Sequence, residues 1–189
     1  NSSEMAAAFV TIGCGATTAP LNPAYRREEF DFYLDDLAAK ALVVEEGSDS
    51  PALLAAQDRN IPVFTLIADE RKCAGSFRLE GKSAGAVAHP GMAEADDVAL
   101  VLHTSGTTSR PKIVPLTQRN VTASAGHIAE SLKLVAEDRC MNIMPLFHIH
   151  GLIAAVLSSL GAGASVHCAP GFNALRVFSW LDEIEPSWY

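Results

Sequence analysis

Residues 102–112 read Leu102-His103-Thr104-Ser105-Gly106-Thr107-Thr108-Ser109-Arg110-Pro111-Lys112. An apolar run at 98–102 leads in, and a second at 113–116 leads out. Between them stand five hydroxyls, one glycine and two cations. Two strands joined by a loop of this composition suit the wrapping of an oligophosphate. Hydroxyls and backbone N–H groups donate, Gly106 admits close backbone approach, and a cation neutralises charge. The spacing is not that of a Walker A loop, which needs glycine directly before Lys and Ser or Thr after it. Here Pro111 precedes Lys112 and Ile113 follows. Loops rich in Ser, Thr and Gly also serve as plain solvated turns. A Pro-Lys pair closing a hydroxyl-only loop favours the phosphate reading over that one.

Working outward, residues 4–14 predict a buried helix capped by Ser2 or Ser3 and ended by Gly13 and Gly15. A short strand at 16–19 and a turn at 20–23 follow. Phe30, Tyr33, Leu34 and Leu37 recur at helical spacing, so 26–39 is an amphipathic helix. The apolar runs at 41–44 and 62–67 read as fully buried strands, with a helix at 50–59 between them. Residues 69–92 lose periodicity, apart from a possible edge strand at 77–79. Beyond the loop, the pattern predicts a helix at 117–134 capped by Thr117, a strand at 140–144 and a buried helix at 152–160. A strand at 164–168 and a helix at 173–183 complete it. Alternation of this kind predicts an α/β fold, a three-layer α/β/α, Rossmann-like arrangement with a mostly parallel sheet. Residues 98–116 can instead close as a hairpin, which would make that part antiparallel.

Composition narrows the function classes. The hydrophobic content is 49 % and the charged content 19 %, a globular balance. A chain of this length buries roughly 70 % of its unfolded surface. The net charge of −8 argues against a nucleic-acid partner. Cys14, Cys73, Cys140 and Cys168 form no C-x-x-C pair. They read as four reduced thiols, small apolar fillers in a reducing, cytoplasmic compartment. No signal peptide or peroxisomal tripeptide is read. The uncharged run at 149–172 is broken by Gly151, Gly161, Gly163 and Pro170 and is not read as a membrane span. Both ends read as cut: 1–8 open directly on a helix, and 186–189 open a strand that does not finish.

Three motifs together resemble the adenylate-forming superfamily of acyl-CoA synthetases, luciferases and peptide-synthetase adenylation domains. Its phosphate signature is Thr-Ser-Gly-Thr-Thr-Gly-x-Pro-Lys-Gly; residues 104–112 match it with Ser109 in place of a glycine, and Ile113 replaces the last one. Gly15-Ala16-Thr17-Thr18-Ala19-Pro20-Leu21-Asn22-Pro23 resembles the early G-x-x-x-x-P-L-N-P loop. Met144-Pro145-Leu146-Phe147-His148-Ile149-His150-Gly151 resembles the P-L-F-H-x-x-G segment. Within the superfamily the loop looks most like the oxalate–CoA ligase branch.

The resemblance implies a ligase that activates a small carboxylic acid with ATP, releases pyrophosphate and passes the acyl group to CoA. It puts Thr104, Ser105, Gly106, Thr107, Thr108 and Lys112 at the β- and γ-phosphates. It leaves Mg²⁺ to phosphate oxygens, water and an acidic residue outside this chain, so no metal ligand is assigned here. It implies that 1–189 is one α/β subdomain of a larger N-terminal domain, that the isolated chain does not turn over, and that exposed apolar surface favours self-association. Rival readings are an adenylation domain that loads a carrier protein, a luciferase-like enzyme and a non-catalytic nucleotide-binding domain.

His148 matches the histidine between the acyl pocket and the nucleotide, where it would orient the substrate carboxylate. It can equally be a hydrogen-bonded turn histidine. His150 would add a second donor for a small dianionic acid. A metal pair of His148 and His150 lacks a third ligand nearby. Arg110 either extends the cationic face or is solvated. Ser105 lacks the G-x-S-x-G elbow of a hydrolase nucleophile. Ile113 favours ordinary strand geometry, so a strand is expected to start directly after Lys112.

Overall fold

The computed structural model describes residues 1–69, 71–82, 90–104 and 111–189. In chain order the elements are α1 Ser3–Gly13, α2 Arg27–Asp36, β1 Leu42–Glu45, α3 Ala52–Asp58, β2 Val63–Ala68, β3 Phe77–Glu80, β4 Val98–Thr104, β5 Lys112–Thr117, α4 Gln118–Leu132 and β6 Arg139–Asn142. A π-helix, His150–Leu157, then runs on into α5 Ser158–Gly161, followed by β7 Ser165–Cys168 and α6 Val177–Ile184. The α/β class expected from the alternation holds. The described strands fall into three short sheets rather than one: β1-β2-β3, β4-β5 and β6-β7. The pairs β1-β2 and β6-β7 are parallel, whereas β2-β3 and β4-β5 are antiparallel. The hairpin alternative at 98–116 is therefore the one realised.

The chain divides into two units, residues 21–91 and residues 1–20 with 92–189. In the first, Phe30 and Leu34 of α2 pack with Ala52, Ala55 and Ala56 of α3. The small side chains let the two helices approach closely. Arg59 forks onto Asp35 at 2.6 and 2.7 Å and reaches Asp31 at 2.5 Å, while Arg27 pairs with Asp31 and Asp58. The Arg59 guanidinium holds the Asp35 carboxyl below its ordinary range. Helix α2 ends in a Schellman motif: Ala39 N–H donates to Leu34 C=O and Ala38 N–H to Asp35 C=O. Ala38 sits there at φ 45°, a left-handed conformation that a Cβ opposes. Ala38→Gly is therefore expected to stabilise the protein by about 0.5–1 kcal/mol, part of the relieved strain being offset by glycine's freedom in the unfolded chain. A urea midpoint that falls instead would mean that the position carries no strain.

In the second unit the core joins α1, β4, α4 and the π-helix through Ala6, Ala99, Leu100, Val121, Ala125, Leu146, Leu152, Ile153 and Val156. Leu100 and Leu152 are fully buried, each contributing about 1.5–3 kcal/mol by leaving water. Ser2 caps α1 by accepting from Met5 N–H at 3.1 Å. Thr117 caps α4, as the sequence predicts, and does so in a reciprocal box with Asn120. Met141, on the other face of β6 from Cys140 and Asn142, packs with Ala169 and Trp180 of α6.

Several expectations are corrected. The helix expected at 152–160 starts at His150 and is π-helical over its first eight residues. The helix expected from 173 starts at Val177, because Asn173 Oδ1 accepts from Leu175 and Arg176 N–H and holds a turn there. The strand expected at 16–19 is a single bridge from Thr18 to Leu100. Cys140 is buried, but Cys14 and Cys73 are exposed and fill nothing. Among the described residues no helix is long and apolar enough to cross a membrane.

Candidate nucleotide and carboxylate site

Strand β4 is gripped from two sides. Thr18 N–H donates to Ala99 C=O at 2.9 Å, and Val101 N–H donates to Thr18 C=O at 2.8 Å. On the other side β5 runs antiparallel, with Leu102 opposite Val114, His103 opposite Ile113 and Thr104 opposite Lys112. Directly opposed residues of such a pair project from the same face with Cβ atoms about 5 Å apart. Thr104 and Lys112 thus stand side by side, both exposed, where the two strands meet the connecting loop. A hydroxyl donor and an ammonium in this position suit an anion with several oxygens. Strand β5 begins at Lys112, so Ile113 sits in strand geometry as expected. Ser105, Gly106, Thr107 and Thr108, with Ser109 and Arg110, lie outside the described residues.

The histidine segment leaves the C-terminal end of β6. Asn142, 2 % exposed, turns the chain by accepting from Met144 N–H on Oδ1 at 3.0 Å. Its Nδ2 is buried without a partner among the described residues. Leu146 inserts into the core while His148, Ile149 and His150 are exposed. His148 N–H donates to Pro145 C=O at 3.1 Å, and Leu152 N–H donates to His148 C=O at 3.1 Å. His150 N–H donates to His148 Nδ1 at 3.4 Å. In the neutral ring Nδ1 is then the acceptor and Nε2 carries the proton. His148 so presents an N–H donor, the requirement for orienting a carboxylate.

Gly151 makes the turn possible. A Cβ there would lie 2.5 Å from Pro145 O and 3.1 Å from Met144 O. The π-helix starts against that backbone, and its widened turns continue until Ser158 N–H donates to Ile153 C=O. His150 also borders a cavity of about 470 Å³ that Lys133, Ala154 and Trp188 help to line. Trp188 Nε1 is buried without a partner among the described residues. Neither Lys133 nor Trp188 carries a sequence pattern that would have singled it out; only the packing of the end of α4 and of residue 188 beside β6 brings them there.

The structure brings Thr104 together with Lys112, and His148 together with His150. Among the described residues no group of three or more His, Cys, Asp or Glu side chains could hold a metal ion. The hydroxyl and ammonium of the hairpin fit phosphate oxygens rather than Mg²⁺, which would depend on the phosphates and water. Burial pushes the Cys140 thiol up to about 12 and raises Cys168 as well, so neither supplies a thiolate at neutral pH.

A family profile described as "AMP-binding enzyme" matches residues 1–187. The oxalate–CoA ligase of Arabidopsis thaliana is 41 % identical over 189 residues, covering 96 % of this chain and 36 % of that protein. The oxalate–CoA ligase of Saccharomyces cerevisiae is 35 % identical over 212 residues, covering 96 % and 38 %. The chain thus spans little more than a third of the length of these relatives. Among solved structures, the O-succinylbenzoate coenzyme A synthetase of Bacillus subtilis in complex with ATP and magnesium ion superposes with a TM-score of 0.72 at 27 % identity. That match covers 98 % of this chain and 36 % of the other.

Proposed function

The chain belongs to the family of AMP-binding enzymes, and from that premise we propose that it is the pyrophosphate-side part of an ATP-dependent carboxylate–CoA ligase. The observation that carries the reading is the register of the hairpin, which sets Lys112 beside Thr104 where the signature loop begins and ends. In the proposed first step a carboxylate oxygen attacks the α-phosphorus of ATP, the bond to the β-phosphate breaks, and acyl-AMP and pyrophosphate form. Charge grows on the departing pyrophosphate. Lys112, Thr104 and the loop residues Ser105, Gly106, Thr107 and Thr108 are proposed to receive it, stabilising the transition state more than the ground state. Mg²⁺, when bound, would neutralise phosphate charge beside Lys112. The Nε2–H of His148 is proposed to hold the attacking carboxylate in line. In the second step the CoA thiol displaces AMP to give the thioester.

The proposed acid is small and carries a second carboxylate, oxalate first among them. Support comes from the two oxalate–CoA ligases above and from His150, which adds a second donor next to His148 and borders the cavity. The exposed Phe172, Leu175 and Phe178 support self-association of the chain on its own. A cytoplasmic location is part of the proposal, and four free cysteines accord with it.

An acid screen tests the reading. The complete enzyme, given ATP, Mg²⁺ and a panel of mono- and dicarboxylates, is expected to exchange labelled pyrophosphate into ATP only when its acid is present, and most with oxalate. The 189-residue chain alone is expected to show no steady pyrophosphate release. Acid-independent behaviour of the complete enzyme removes the ligase assignment.

A further inference from the structure

We propose that Asn1 is a positioning residue for His148, acting through the backbone of Met144 and Leu146. The Asn1 side-chain amide donates from Nδ2 to Met144 C=O at 2.9 Å and accepts on Oδ1 from Leu146 N–H at 3.0 Å. The two groups it bonds are one residue's carbonyl and the N–H two residues further along. A single amide satisfies both, so neither is left without a partner. Pro145, between them, has no N–H to offer. Met144 N–H goes to Asn142 Oδ1, and Pro145 C=O accepts from His148 N–H. The 144–146 backbone is therefore engaged by two asparagines and by His148 itself.

Gly151 presses on the same backbone, with its Cα hydrogens where a Cβ would stand 2.5 Å from Pro145 O. The segment is held between Asn1 and the start of the π-helix, and His148 follows it after two residues. The N-cap of α1 is Ser2, which accepts from Met5 N–H, and the Asn1 amide bonds Met144 and Leu146 instead. Both ends of its amide bond the histidine segment, about 145 positions away in sequence. Loss of the amide frees Met144 C=O and Leu146 N–H, and the turn that presents His150 N–H to His148 Nδ1 loses its anchor.

The inference rests on the carboxylate role proposed above for His148, and the two fail separately. Long-range ¹H–¹⁵N spectra of the 189-residue chain read the tautomer of the His148 ring, assigned by comparison with His148→Gln. The expected result is one Nε2–H tautomer in the parent and loss of that single pattern in Asn1→Ala, with His167 of β7 unmoved. Asn1→Asp, of the same shape, keeps an acceptor but turns an oxygen toward Met144 C=O, and is expected to lose the pattern too. An unchanged His148 pattern in Asn1→Ala overturns the inference whatever the acid screen shows. Should His167 move as well in Asn1→Ala, the fold has been lost, and Asn1→Asp decides by the same criterion. In the complete enzyme kcat for adenylation is expected to fall about tenfold or more with KM for ATP unchanged; a rise in KM with kcat unchanged also overturns it.

Discussion

Replacing Lys112 by alanine in the complete enzyme is expected to slow adenylate formation by about 10²–10³-fold, the usual loss when one donor to a developing oxyanion is removed. The expectation follows from where the charge goes. ATP is already anionic before reaction, so a lysine near its outer phosphates binds substrate and transition state alike to some extent. As the α–β bridge breaks, pyrophosphate takes up further negative charge, and the part of the attraction that grows with it lowers the barrier. The ammonium must be in place before that moment. It stands at the first residue of β5, held in register by Leu102 opposite Val114 and by His103 opposite Ile113. The first, buried half of β4 is tied to Thr18. Lys112→Ala leaves this frame intact, since the side chain is exposed and its deletion opens no cavity. The rate of acid-dependent pyrophosphate exchange at saturating ATP is the measurement. KM for ATP should change far less than kcat. An unchanged rate removes Lys112 from the phosphate site.

Local chemistry made the hairpin legible. Two apolar runs around a hydroxyl-rich loop describe strand, turn and strand without reference to the rest of the chain, and Thr117 announces the following helix. The α/β alternation is legible for the same reason. What stayed hidden depends on partners remote in sequence or on side chains that compete with the backbone. Asn142 and Asn173 each take backbone N–H groups into a turn, which shortens a strand in one case and delays a helix in the other. Residues 150–157 carry an apolar pattern that suits an α-helix, and nothing in it reports the close approach of Pro145 O. Asn1 gives no local sign of pairing with a backbone some 145 residues on. The exposure of Cys14 and Cys73 follows from their positions after α1 and before β3, not from their chemistry.

Gly151→Ala tests the geometry of the candidate site against simple helix propensity, because the two predict opposite signs. Alanine is favoured over glycine within a helix by about 1 kcal/mol, so propensity alone makes the substitution stabilising. The packing forbids it. The added methyl would meet Pro145 O at 2.5 Å and Pro145 C at 3.1 Å, and both are backbone atoms that no rotamer change can move aside. Either the helix start or the 144–146 backbone must retreat. Overpacking of this kind costs about 1–3 kcal/mol, which outweighs the gain in propensity. Retreat of the helix start strains the Leu152 N–H to His148 C=O bond, and retreat of the backbone breaks the Asn1 pairing. His148 moves in both cases. A displacement of about 1 Å in a substrate-orienting group costs on the order of 10²-fold in rate. The expected result is thus a lowered urea midpoint in the 189-residue chain together with a roughly hundredfold slower pyrophosphate exchange in the complete enzyme. A raised midpoint with full exchange would mean that the helix does not approach Pro145 closely, and that His148 owes its position to something other than that contact.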